Sequence, residues 1–193
     1  MDALFGGSFD PVHLGHLIVA EAVAETLDAR VRFLPAREQP FKRAAHGATP
    51  DQRAEMLELA AAGNPRLAVE RIELALPAPS YTVRTLRALA QREPGNRFTL
   101  LLGADAARDL PEWFEVVSLP ALADVVVFAR PGFALEAQEA VPVRRVLAVP
   151  AIDISATTVR ERVSRGRSIR YLVPEAVREY IAAHGLYRSR TDA

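Results

Sequence analysis

Residues 6–16 read Gly6-Gly7-Ser8-Phe9-Asp10-Pro11-Val12-His13-Leu14-Gly15-His16. The stretch follows a short apolar run at residues 3–5. It leads into Leu14, Leu17, Ile18, Ala20, Val23, Ala24 and Leu27, which recur at helical spacing. A strand, a glycine turn and a helix in that order are the start of a strand-helix-strand unit. Two glycines directly after the strand let the backbone approach a bulky anion with no Cβ in the way. His13 and His16 are three residues apart at the helix start. That spacing puts both imidazoles on one face, near the positive end of the helix dipole. Donors converging beside a glycine turn make a phosphate site.

Outward from this segment, short apolar runs alternate with helical patterns. Residues 31–34 predict a second strand, closed by Pro35. Thr49-Pro50-Asp51-Gln52 predicts a helix start, with Thr49 as N-cap, proline at the first helical position and Gln52 completing a capping box. Gly63 ends that helix. Residues 67–74 alternate toward a strand, 82–92 read as a helix, and 98–102 form an apolar run, interrupted only by Thr99, suited to a central strand buried on both faces. Gly103-Ala104-Asp105 opens a short helix stopping near Leu110-Pro111. Residues 125–128 and 146–149 predict the last strands, with helices over 157–163 and 174–183, the last stopped by Gly185. Strands separated by helices predict an α/β fold: one Rossmann-like domain over residues 1–193, a parallel sheet with helices on both faces, and a C-terminal helical part from about 155. Such sheets bind ligands at the carboxyl ends of their strands, near a topological switch point. The loops after Phe5, Leu34, Leu102 and Val149 then share one rim.

Lysine plus arginine and aspartate plus glutamate number 24 each. A chain dedicated to duplex nucleic acid or an anionic membrane would carry a basic excess, so neither partner is expected and any anion site must be local. Cysteine is absent, which excludes disulfides, zinc-thiolate sites, iron-sulfur clusters and cysteine nucleophiles. Asp2 and the early glycines do not suit a secretory signal, and the apolar runs are too short to span a bilayer, so the expected location is the cytoplasm. No feature of the sequence sets an oligomeric state. Every basic residue is arginine except Lys42, in the loop Gln39-Pro40-Phe41-Lys42 on the rim.

A second anion-binding pattern lies at Ser155-Ala156-Thr157-Thr158-Val159-Arg160. Hydroxyls and free N–H groups at a helix start bind anions, and Arg160 one turn in can add a charge-assisted hydrogen bond. An N-cap followed by a solvated basic helix is the alternative for this segment.

Taken together, these residues resemble the HxGH nucleotidylyltransferases, and within them the bacterial nicotinate-nucleotide adenylyltransferases. The resemblance runs over nearly the whole chain: the opening glycine-histidine stretch, Pro40-Phe41-Lys42, Arg53-Ala54-Glu55-Met56-Leu57, Ser80-Tyr81-Thr82, Leu102-Gly103-Ala104-Asp105, Leu110-Pro111-Glu112-Trp113, Arg130-Pro131-Gly132, Ile154 to Arg160, and Tyr171-Leu172-Val173-Pro174. It implies attack of the nicotinate mononucleotide phosphate on the α-phosphorus of ATP, giving deamido-NAD and pyrophosphate without a covalent enzyme intermediate. Fixed donors, not a protein nucleophile, then carry the chemistry.

By matching position, the resemblance makes His13 and His16 contacts to the ATP phosphates, with His16 stabilising the transition state. It assigns Gly7, Ser8, Lys42, Ser155, Thr157, Thr158 and Arg160 to the same phosphates. Magnesium would come with ATP, held by phosphate oxygens and water, with no dedicated protein ligand. The family has Pro-His-Lys where this chain has Pro40-Phe41-Lys42. Gly103 and Asp105 stand at the end of the central strand, where ribose hydroxyls are the natural partner of the carboxylate. Trp113 is implied as a stacking platform for the pyridine ring, with core packing as its alternative. Tyr81 and Thr82 are implied to meet the nicotinate carboxylate, largely through backbone N–H groups, though Ser80 to Thr82 also makes sense as a helix cap.

Three functions fit the residues. Nicotinate mononucleotide and nicotinamide mononucleotide differ only as acid and amide, and phosphopantetheine has no aromatic ring for Trp113 to stack upon. A non-catalytic nucleotide sensor would show damage at the histidines or at the serine-threonine-arginine segment, and both are intact.

Overall fold

The computed structural model describes residues 1–40, 47–129, 141–150 and 152–189. Phe41, Lys42 and the segment Arg130-Pro131-Gly132 lie outside the described residues. Among the described residues, six strands form one sheet: β1 (Asp2–Gly7), β2 (Arg30–Pro35), β3 (Leu67–Val69), β4 (Phe98–Gly103), β5 (Ala123–Ala129) and β6 (Val143–Ala148). Every pairing is parallel, in the order β3-β2-β1-β4-β5-β6. The chain winds outward from β1 through β2 to β3, then returns to β4 on the other side of β1. The switch point therefore falls between β1 and β4, where ligands bind in such sheets.

Helices α1 (Leu14–Leu27), α2 (Pro50–Ala61), α3 (Ile72–Ala75), α4 (Thr82–Arg92), α5 (Ala104–Arg108), α6 (Leu119–Leu122), α7 (Ala156–Ser164) and α8 (Glu175–Ala183) cover the two faces. Strand residues alternate between them, as a period of two requires. Ala3, Phe5, Phe33, Leu101 and Val126 pack with Val23 of α1, Met56 of α2, Val159 of α7 and Val177 of α8. Leu4, Leu34, Leu100 and Val125 pack on the opposite face with Leu86 of α4, Ala107 of α5 and Leu119 of α6. Phe98 through Leu102 are all buried, the polar Thr99 among them.

The Thr49 cap forms as read: its hydroxyl accepts from the Gln52 N–H at 3.2 Å, and Gln52 Oε1 accepts from the Thr49 N–H at 3.0 Å. Beyond shifts of one or two residues, three differences from expectation matter. The strand predicted over 67–74 stops at Val69, because the Glu70 carboxylate accepts from the Ile72 N–H at 3.0 Å and so caps α3. The final strand begins at Val143 rather than 146. β1 runs through Gly6 and Gly7, so both glycines end the strand instead of following it.

Candidate active site

The turn after β1 owes its shape to Phe9. This residue takes a left-handed backbone conformation, φ 49°, which costs a side-chain-bearing residue about 1 kcal/mol or more. Burial of its ring offsets that cost: Phe9 is 2 % exposed and meets Phe5, Phe33 and His16 edge-on at 5.6, 5.5 and 5.0 Å between centroids. The ring folds back beneath Gly7, where an added Cβ would lie 2.9 Å from Phe9 Cζ. Gly7 is thus needed for the phenyl ring beneath it. Gly6 is the glycine with open space beside it, since a Cβ there would meet nothing within 4 Å.

His13 is the N-cap of α1, and its ring lies flat on that of His16, 3.7 Å between centroids. Gly15 makes the stack possible, because a Cβ at that position would come within 3.1 Å of His13 Nδ1. The His13 backbone N–H donates to His16 Nδ1 at 3.2 Å. An accepting nitrogen carries no proton, so the His16 proton sits on Nε2 and makes that atom a donor. His13 is 6 % exposed, its Nδ1 is buried with no hydrogen-bond partner, and burial lowers its pKa to about 4. His13 is therefore neutral at pH 7, and His16 presents its Nε2–H as a donor.

Asp10 ties this turn to distant parts of the chain. Its carboxylate accepts from the Gly47 and Ala48 N–H groups at 2.9 and 3.1 Å and from the Tyr187 hydroxyl at 2.8 Å. Burial, then the Asp10 charge, pushes the Tyr187 phenol upward. The Asp10 carbonyl accepts from Arg160 Nη1 at 2.7 Å, while Nη2 donates to Thr157 Oγ1 at 3.2 Å. Ser155 caps α7 by accepting from the Thr158 N–H at 3.1 Å. The start of α7 thereby stands against the histidine turn, with the Ile154 carbonyl beside Gly15. Both anion-binding patterns meet on one rim.

Ser80-Tyr81-Thr82 is held to the same rim. The Ser80 N–H donates to the Glu38 carbonyl at 2.9 Å, and the Arg37 N–H donates to Ser80 Oγ at 3.0 Å. Tyr81 is the N-cap residue of α4 but supplies no side-chain cap. Its ring stacks on Phe114 at 4.5 Å, with the Arg84 guanidinium over both rings. This contact brings the α4 start beside Trp113, which is half-buried against the core face carrying α4 and α5. Gly103 caps α5. The Asp105 side chain, in its first turn, is 97 % exposed, with Arg108 at 3.4 Å.

Sequence reasoning gave no role to Arg53. Among the described residues it is the largest fully buried side chain, at 0 % exposure. Its guanidinium donates to the carbonyls of Ser8 at 2.6 Å, Ala36 at 2.7 Å and Arg37 at 3.3 Å. Burial lowers its pKa, against the nearby Asp10 charge. An arginine on an early helical turn reads as solvated, and only the fold reveals three loop carbonyls above it.

Residues 4–162 match the family described as cytidylyltransferase-like. A relative from Roseiflexus sp. is 47% identical over 193 residues, covering 96% of both chains. One from Thermus thermophilus is 48% identical over 186 residues, covering 96% of this chain and 98% of the relative. Both bear the name "Probable nicotinate-nucleotide adenylyltransferase". Among solved structures, the Plasmodium falciparum nicotinic acid mononucleotide adenylyltransferase complexed with NaAD superposes with a TM-score of 0.78 at 18% identity, covering 96% of each chain. At that identity the likeness concerns the fold.

Proposed function

The chain belongs to the cytidylyltransferase-like family, among members named nicotinate-nucleotide adenylyltransferases, and from that premise we propose that it transfers the adenylyl group of ATP to nicotinate mononucleotide. The observation that carries this reading is the Arg160 to Asp10 contact. It sets a serine-threonine helix start against a histidine turn at the switch point of a parallel sheet.

In the reaction, a phosphate oxygen of the mononucleotide bonds to the α-phosphorus of ATP, the bond from that phosphorus to the bridging oxygen breaks, and pyrophosphate leaves. Charge grows on the leaving phosphates. His16 Nε2–H, the α7 N–H groups with Ser155, Thr157 and Thr158, and the Arg160 guanidinium are donors suited to that charge. The open backbone at Gly6, together with Gly7 and Ser8, lets the triphosphate approach β1. His13, neutral and buried, holds the His16 ring in register and borders the same phosphates. Asp105, exposed on the rim beside Gly103, suits a ribose diol. Trp113 offers a ring face to the pyridine, and the N–H groups at Tyr81 and Thr82 suit a carboxylate.

Among the described residues, no three histidine, aspartate or glutamate side chains form a metal cage. This donor set fits a metal that arrives on the triphosphate, which we take to be Mg2+. Such an ion would offset charge on the β- and γ-phosphates. No helix among the described residues is long and apolar enough to cross a membrane, and the cytoplasm is the proposed location.

Pyrophosphate release, measured with ATP and Mg2+, tests this reading with nicotinate mononucleotide, nicotinamide mononucleotide and phosphopantetheine in parallel. Release is expected with nicotinate mononucleotide above both others. Turnover of phosphopantetheine alone, or ATP binding with no turnover of any acceptor, would overturn it.

A further inference from the structure

We infer that Arg53 is a positioning residue that holds the phosphate-binding turn and the acceptor-binding segment in one register, so that both substrates depend on it. The inference rests on the adenylyl-transfer reading above and adds a residue to which that reading gives no role.

Peptide planarity supplies the mechanism. A trans peptide points its C=O and N–H in opposite directions, so fixing one end aims the other. Arg53 Nη2 takes the Ala36 carbonyl at 2.7 Å, and the N–H of that same peptide, on Arg37, donates to Ser80 Oγ at 3.0 Å. Ser80 returns its own N–H to the Glu38 carbonyl at 2.9 Å. A single peptide plane thus links a buried guanidinium to the residue that immediately precedes Tyr81 and Thr82. On the other side, Nη1 takes the Ser8 carbonyl at 2.6 Å, which fixes the peptide between Ser8 and Phe9. The Ala36 N–H donates to the Gly7 carbonyl at 2.9 Å, joining the ends of β1 and β2 above the same arginine.

Arginine suits this place because its planar fork serves diverging carbonyls at once, whereas an ammonium is a single point. Burial at 0 % exposure removes competing water, so the three carbonyls depend on this side chain for their direction. None of these contacts reaches outside the protein, so Arg53 acts on substrate only through the backbone it aims.

The test uses the full chain, with Arg53→Lys and Ser80→Ala made singly. Binding of ATP and of nicotinate mononucleotide is titrated separately for each, folding is checked by thermal melting, and turnover is measured. Arg53→Lys is expected to weaken both ligands and to lower kcat/KM by about 10²-fold, the scale of an ångström-sized misplacement of reacting groups. Ser80→Ala is expected to weaken the mononucleotide alone. Folded Arg53→Lys protein that binds both ligands as the wild type does overturns the inference. Should Arg53→Lys fail to fold, Ser80→Ala decides: selective loss of mononucleotide binding supports the linkage, and unchanged binding overturns it. Failure of the adenylyl-transfer reading is distinguishable, since it would show as absent turnover in the wild type.

Discussion

His13 and His16 stack with their ring centroids 3.7 Å apart and their planes 25° from parallel. A proton on His13 would put charge into a buried stack, so burial lowers its pKa to about 4. The unfolded chain, with an ordinary imidazole near 6.5, binds that proton more readily. Stability from this group is therefore complete above about pH 6.5 and is lost as pH falls toward 4, by at most about 3 kcal/mol. Urea midpoints at pH 7 and pH 5 should differ more in the wild type than in His13→Asn. Equal differences would show that His13 titrates normally.

The bond from the His13 N–H to His16 Nδ1 leaves Nε2 as the donor. On the proposed reaction, replacing His16 by alanine takes one donor away from the leaving phosphates, and turnover should fall about 10²- to 10³-fold, with ATP binding less affected. Single-turnover kinetics with ATP in excess is the measurement. Rates near the wild type would remove His16 from the reaction.

A parallel sheet with helices on both faces was legible because short apolar runs alternate with helical patterns, and the histidine turn was legible because its members are contiguous; the order of the strands came only with the fold. Contacts made by the backbone were not. Arg53 meets carbonyls of residues 8, 36 and 37, and a carbonyl is the same in every residue, so no spacing announces it. Glu70 ends β3 early by capping α3, a choice between two local structures that an alternating pattern cannot settle. Gly7 reads like an anion-approach glycine, yet the ring beneath it belongs to Phe9, whose left-handed conformation has no sequence signature.

Tyr81 and Phe114 stack across 32 intervening positions and place Trp113 beside the start of α4. Trp113→Ala should raise KM for the mononucleotide about 10- to 100-fold, the usual worth of one base on an aromatic ring, with KM for ATP little changed. Phe114→Ala, which leaves Trp113 in place, should give a smaller increase in the same direction. Equal losses for both substrates in Trp113→Ala would mark it as a core residue.

Arg160 already holds the Asp10 carbonyl and Thr157 Oγ1. Lysine cannot reproduce two directed bonds and still face a phosphate. Arg160→Lys should therefore raise KM for ATP about 10- to 100-fold, the range expected for one charge-assisted hydrogen bond. Initial-rate kinetics at saturating mononucleotide measures it, and an unchanged KM would confine Arg160 to holding α7 against the turn.

Away from the rim, Glu70 accepts hydrogen bonds from both Arg32 and Arg92, and Glu93 bonds the same two arginines. Burial alone would raise the Glu70 carboxyl, but the bonds from Arg92 and Arg32 outweigh it and hold it below the usual carboxylate range. Bonds from Arg32 and Arg92 take Glu93 down to about 2. Depressed carboxylates stabilise the fold above their unfolded pKa and lose that contribution as pH falls through the folded one. Acid unfolding should then show two separate limbs, one from His13 between about pH 6.5 and 4, the other from this cluster below about pH 4.5. Glu70→Gln leaves Arg32, whose side chain is 11% exposed, with Asp2 and Glu93 as its remaining carboxylate partners, and should cost about 1.5 kcal/mol at pH 7. That cost should shrink toward pH 3, where the wild-type carboxylates also begin to take protons. A cost that stays constant from pH 7 to pH 3, read from urea midpoints, would mean that Glu70 contributes through its shape and its cap on α3 instead of its charge.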